Sequence, residues 1–136
     1  MELQVLVVDD DNIFNLMANV LLRDLGISPQ PHCFTDAGAA LEYINQHSNP
    51  DATYLIFLDI NMPTMSGWEM LTRLAALPNH QKVHVVMVTS SIDSTDKKKA
   101  ANFQQVIDYM IKPLNREKLA ALKSHNKLES FFRANA

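Results

Sequence analysis

Apolar residues gather in five short runs along the chain: QVLVV (4–8), PHCF (31–34), YLIFL (54–58), HVVMV (84–88) and VIDYMI (106–111). Three of them are continuously apolar, the pattern of strands covered on both faces. Segments of helical length separate them. NIFNLMANVLLRDLG places Phe14, Met17, Ala18, Leu21 and Leu25 on one helical face, with Gly26 as its C-cap. The later segments DAGAALEYINQH, SGWEMLTRLAAL, DSTDKKKAANF and NREKLAALKSH open on Asp36, Ser66, Asp93 or Ser94, and Asn115. All five predicted helices therefore start beside a side chain that can accept from the first-turn N–H groups. Strand and helix alternating in this way predict an α/β fold: a doubly wound five-stranded parallel sheet, flavodoxin-like order 2-1-3-4-5, helices on both faces. After His125 and Asn126 the periodicity breaks, and Leu128, Phe131 and Phe132 read either as an extension of the last helix or as an apolar flap.

Composition narrows the function. With 136 residues the chain is long enough for one packed domain without metal or disulfide staples. A net charge of -3 argues against coating nucleic acid or a membrane surface. The lone Cys33 makes no internal disulfide, no run approaches the ~20 residues of a membrane span, and the start lacks signal-peptide character. A cytoplasmic location is expected. Only Gly26, Gly38 and Gly67 are present, so neither a GxGxxG turn nor a Walker loop exists.

In a doubly wound sheet the functional crevice lies at the carboxyl ends of the strands, where strand order reverses. Strand 1 ends in Asp9, Asp10 and Asp11, strand 3 in Asp59, strand 4 in Thr89 and Ser90, and strand 5 in Lys112. Order 2-1-3-4-5 makes strands 1 and 3 neighbours, so the three acids face Asp59. Two carboxylates ~5 Å apart repel by roughly 3 kcal/mol at an effective dielectric of ~20. Such a cluster takes up protons or a cation, and oxygen ligands without Cys or His favour Mg²⁺. An EF-hand calcium loop fits poorly, because Ile13 stands at the third ligand position. A carboxylate, a hard cation, an ammonium and a hydroxyl around one point describe phosphoryl transfer to an aspartate, with Asp59 attacking in line and Thr89 donating a hydrogen bond.

The blocks LVVDDD, LDINMPTMSGWEML, VVMVTSS and YMIKP resemble, in order and spacing, the four signatures of response-regulator receiver domains of two-component signalling, over about residues 3–123. The resemblance implies Asp59 as phosphoacceptor, Asp9 and Asp10 as the acidic pair for Mg²⁺ or Mn²⁺, and the Asn61 backbone carbonyl as a further ligand. It implies phosphoryl contacts from Thr89 and Lys112, a cis Lys112–Pro113 bond, Tyr109 as an aromatic switch, and Asn61 and Ser91 as tuners of autodephosphorylation. Three features depart from the pattern: a third acid at Asp11, Ser90 where Ala is common, and NFQQVID where an Ala-Gly turn is usual. What they affect is the face of helix 4 and the lifetime of the phosphoryl group.

Each residue has a plainer reading. One of Asp9–Asp11, or Asn12, caps helix 1; Tyr109 and Trp68 are packing; Lys97–Lys99 are a solvated face. Ile13, Leu16 and Val20 form a second apolar cluster on helix 1, read either as a wide core stripe or as a docking surface for the phosphohistidine donor. The expectation is a stand-alone receiver at 1–123 with a C-terminal extension at 124–136 and no output domain. It is expected to be a switch and not a turnover enzyme, served by a histidine kinase or histidine phosphotransfer protein. Output would then pass through an unidentified protein target or a phosphorylation-dependent dimer. Two rivals remain: a haloacid-dehalogenase-type phosphatase with Asp9 as nucleophile, and a pseudo-receiver that binds partners without phosphorylation.

Overall fold

The computed structural model describes residues 2–46 and 51–133. Its strands are β1 (Glu2–Val8), β2 (His32–Phe34), β3 (Ala52–Asp59), β4 (Val83–Thr89) and β5 (Val106–Ile111). Its helices are α1 (Asn12–Asp24), α2 (Ala37–Gln46), α3 (Gly67–Ala75), α4 (Ser94–Ala100), α5 (Arg116–Ala121) and α6 (Glu129–Arg133). The sheet is parallel throughout with order β2-β1-β3-β4-β5, as the alternation predicts. Side chains on each central strand alternate between two cores. Leu6, Val8, Ile56, Leu58, Val85 and Met87 face α2, α3 and α4. Val5, Val7, Leu55, Phe57, Val86 and Val88 face α1 and α5. Each such side chain, when fully buried, contributes about 1.5–3 kcal/mol relative to exposure, which is why residues 5–8 of β1, 54–58 of β3 and 85–88 of β4 are apolar without interruption.

The predicted N-terminal caps hold. Asp11 accepts from Ile13 and Phe14 N–H, Ser66 from Glu69, Asp93 from Thr95, and Asn115 from Glu117 and Lys118. Asp36 accepts from Gly38 N–H at 2.8 Å beside α2. The third acid of strand 1 thus has a structural task. The C-cap of α1 is Leu25, and Gly26 follows it with φ +71°, a value that favours glycine.

The core face of α1 differs from the sequence expectation. Asn15, Ala18 and Leu22 are buried, whereas Met17 is 54% exposed and joins Ile13, Leu16 and Val20 in a solvent-facing stripe. The alternative faces of an apolar helix differ by one residue step, and the position of Asn15 decides between them. Its amide Nδ2 donates to the carbonyls of Asp9 (2.9 Å) and Phe34 (3.4 Å), binding the helix to the ends of β1 and β2.

At the other end of the sheet, the NFQQVID departure places Gln105 in the interior. Its Nε2 donates to the carbonyls of Leu74 (3.2 Å) and His80 (3.1 Å), and its own carbonyl accepts from Val85 N–H at 2.7 Å. Trp68 of α3 stacks on Phe103 at a centroid separation of 6.2 Å, with Lys99 Nζ 4.5 Å above the indole. Beyond α5 a 3₁₀ turn (Leu122–Ser124) ends the helix, and α6 is a separate short helix. Leu128 is fully buried in the α1/α5 core, with Phe132 packed against it.

Candidate functional site

Parallel strands in register finish at one edge of the sheet, so their last residues meet. Val8 of β1 lies opposite Leu58 of β3, which sets Asp9, one residue further, beside Asp59. Asp9 is 1% and Asp59 6% exposed, and Asp10 is exposed at the rim. One carboxylate oxygen from each of Asp9, Asp10 and Asp59 lies within 4.8 Å of the others. Asp9 Oδ1 accepts from Asp11 N–H at 2.9 Å. Its Oδ2 meets Lys112 Nζ at 2.7 Å, and the same ammonium stands 4.0 Å from Asp59 Oδ1.

The electrostatics of Asp59 follow from this crowding. Burial, then the charge of Asp9, raise its carboxyl from the ordinary range to about 6. Lys112 and the Asn61 N–H (3.4 Å from Oδ1) pull the other way without cancelling the rise. A carboxylate held so far from its preferred charge state has a strong appetite for a cation or a proton. Three hard oxygens with no sulfur or nitrogen among them suit Mg²⁺.

The chain turns sharply after Asp59. Gly67 N–H donates to Ile60 O at 2.8 Å, and a Cβ at Gly67 would stand 2.5 Å from the Asp59 carbonyl oxygen and 2.9 Å from Ile60 Cα. Only glycine admits so close an approach. The loop therefore folds back against the backbone of Asp59 and leaves Asn61 exposed beside it.

On the far side Thr89 is fully buried at the end of β4. Its Oγ1 accepts from Ser91 N–H at 3.0 Å, and its carbonyl accepts from Lys112 N–H at 2.7 Å. Ser91 Oγ in turn accepts from Asp93 N–H at 3.1 Å, so Thr89, Ser91 and the cap of α4 form one chain of contacts. Tyr109 of β5 is half-buried, and its hydroxyl is enclosed without a hydrogen-bond partner among the described residues. Burial, with Asp96 and Asp93 of α4 nearby, raises its pKa. The Lys112–Pro113 bond is cis.

The structure thus gathers Asp9, Asp10, Asp59 and Lys112, with Thr89 and Ser91 joined to Lys112 through the backbone; Tyr109 sits at the α4 side and Asn61 at the rim. Ile13, Leu16 and Val20 lie outside the pocket on α1, at 71%, 66% and 47% exposure. Sequence reasoning missed Phe14, Asn15 and Gly67. An asparagine inside an apolar helix, where its side chain competes with the backbone, was the available signal for Asn15. Phe14, assigned to the core stripe, lies half-buried with its ring 4.4 Å from Lys112 Nζ.

Comparison with known proteins agrees with this geometry. The probable methanogenesis regulatory protein FilR2 of Methanothrix harundinacea is 27% identical over 117 residues, covering 85% of this chain and 75% of FilR2. The response regulator protein TodT of Pseudomonas putida is 28% identical over 131 residues, 96% of this chain but 54% of TodT, so the chain spans about half that relative's length. A two-component response regulator from Cytophaga hutchinsonii superposes with a TM-score of 0.82 at 28% identity, covering 96% of this chain and 98% of that one. No helix among the described residues is long and apolar enough to cross a membrane. The family model of the response regulator receiver domain matches residues 5–123, and the chain belongs to that family of two-component phosphorelay proteins.

Proposed function

We propose that this receiver domain accepts a phosphoryl group on Asp59 from the phosphohistidine of a histidine kinase or histidine phosphotransfer protein. Receiver domains take phosphate from such donors and bind Mg²⁺ at an acidic pocket. The observation that carries the reading is the meeting of Asp9, Asp59 and Lys112 within 2.7 and 4.0 Å at the strand ends. An Asp59 carboxylate oxygen attacks phosphorus, the phosphorus–nitrogen bond to the donor imidazole breaks, and the imidazole leaves with a proton. Asp9, Asp10, Asp59 and the Asn61 carbonyl are the residues that would hold Mg²⁺ (or Mn²⁺). When bound, the ion neutralises carboxylate charge and the oxygens of the transferring group. Lys112 adds its positive charge at the same pocket, and burial of Asp59 restricts water around the acyl phosphate.

Thr89 then donates its hydroxyl to the phosphoryl oxygens and releases the Ser91 N–H, which loosens the cap of α4. Tyr109 moves with it, and the face made of α4, β5 and α5 changes shape. This is a population shift, since the acyl phosphate binds Thr89 and Lys112 better in the second arrangement. Asn61 and Ser91 set the access of water and so the phosphoryl lifetime. The stripe of Ile13, Leu16 and Val20 beside the pocket receives the donor. Output passes to a downstream protein or through a phosphorylation-dependent dimer, in a cytoplasmic setting.

Intact-protein mass after incubation with phosphoramidate tests the reading. A gain of one phosphoryl that requires Mg²⁺ and disappears in Asp59→Asn is expected. Label on Asp9, or label surviving in Asp59→Asn, would transfer the assignment to the phosphatase chemistry. Unphosphorylated wild type, with both small donors and a phosphohistidine protein, would make the chain a pseudo-receiver.

A further inference from the structure

The ammonium of Lys112 is held on two sides. Asp9 Oδ2 takes one contact at 2.7 Å, and the face of Phe14 lies 4.4 Å away on the α1 side. Lysine has three N–H donors and no preferred plane, so an ammonium with one partner is free to swing about it. Two partners on different sides fix it. Phe14 sits in the first turn of α1, where Asp11 Oδ1 accepts its backbone N–H at 3.4 Å, and its side chain packs at the edge of the α1/α5 core. An aromatic face attracts a cation most strongly where water is partly excluded, and the Lys112 side chain is 22% exposed.

We propose that Phe14 is a positioning residue for phosphoryl transfer, its ring and the Asp9 carboxylate together aiming Lys112 so that one N–H remains for the phosphoryl group on Asp59. The inference rests on the reading of Asp59 as phosphoacceptor. By capping α1, Asp11 secures the helix turn that carries Phe14. A hollow of about 310 Å³ beside Lys112 is lined by Ile13, Phe14, Met17 and Leu114, so the ring borders both the ammonium and the exposed stripe.

The test uses the full chain with phosphoramidate, a donor too small to need the α1 surface. Phe14→Leu, with Phe14→Met as a second replacement that also lacks the ring, is expected to lower the saturating phosphorylation rate roughly 3- to 30-fold. Phe14→Tyr retains the ring and is expected to stay within about 2-fold of wild type. In a Lys112→Ala background Phe14→Leu should change nothing further, because its effect runs through Lys112. A readout free of metal and activity accompanies it. The Lys112 ε-methylene protons should show a ring-current upfield shift in wild type and Phe14→Tyr that is lost in Phe14→Leu. An unaltered rate in Phe14→Leu, or an equal loss with and without Lys112, overturns the proposal while leaving Asp59 as acceptor. Wild type that gains no phosphoryl group overturns both.

Discussion

Asp59 pays for its place at the strand end in stability. Its folded pKa of about 6 exceeds the unfolded value, so folding favours the protonated carboxyl. The sign follows: no penalty exists below about pH 4, it grows as pH rises toward 6, and it is complete above that. In metal-free buffer Asp59→Asn is therefore expected to raise unfolding free energy at pH 7 by roughly 1–3 kcal/mol, with no gain at pH 4. Urea titrations at the two pH values check this, and added Mg²⁺ should stabilise wild type more than the variant. Gly67 carries the opposite expectation. Gly67→Ala pushes a methyl to within 2.5 Å of the Asp59 carbonyl, where only backbone movement can relieve it. A loss of about 2–4 kcal/mol in the same titration, with slower phosphorylation, is expected. The acidic residues and Lys112 were legible because strand ends in a parallel sheet share one edge. Gly67 was not, because a close approach between segments leaves no periodicity to read.

Helix α1 shows where periodicity alone fails. Its apolar residues cover more than one face, and a reading that maximised the stripe took Met17 inward and left Asn15 unremarked. The buried hydrogen bonds of Asn15 to Asp9 and Phe34 rotate the helix and leave Ile13, Leu16, Met17 and Val20 outside. Ile13→Asp with Leu16→Asp should keep the unfolding free energy within about 0.5 kcal/mol of wild type and leave phosphoramidate labelling intact. Transfer from a phosphohistidine protein should slow at least about tenfold if that stripe receives the donor, a loss of ~1.4 kcal/mol in transition-state binding. Unchanged transfer in the folded double variant would remove the docking assignment. The final segment was left open between two readings. The break at His125 was visible: α6 is a separate turn of helix after it, and Leu128 is core with Phe132 packed against it. Leu128→Ala should cost about 2–5 kcal/mol, measurable by thermal unfolding, although the family match ends at residue 123.

The two ends of the sheet are built for different tasks. Charged groups that cannot satisfy one another gather at the carboxyl end, while the amino end is tied by Gln105 to α3, to the turn before β4 and to β4 itself. Between them the stack of Trp68 on Phe103, capped by Lys99, joins α3 to α4 and the loop after it. That stack has an optical consequence. Trp68 is the sole tryptophan of the chain, and its indole rests on residues that lie at and beyond the end of α4. A displacement of α4 would alter the polarity and the cation above the ring, so the intrinsic emission of the unlabelled protein would report such a motion.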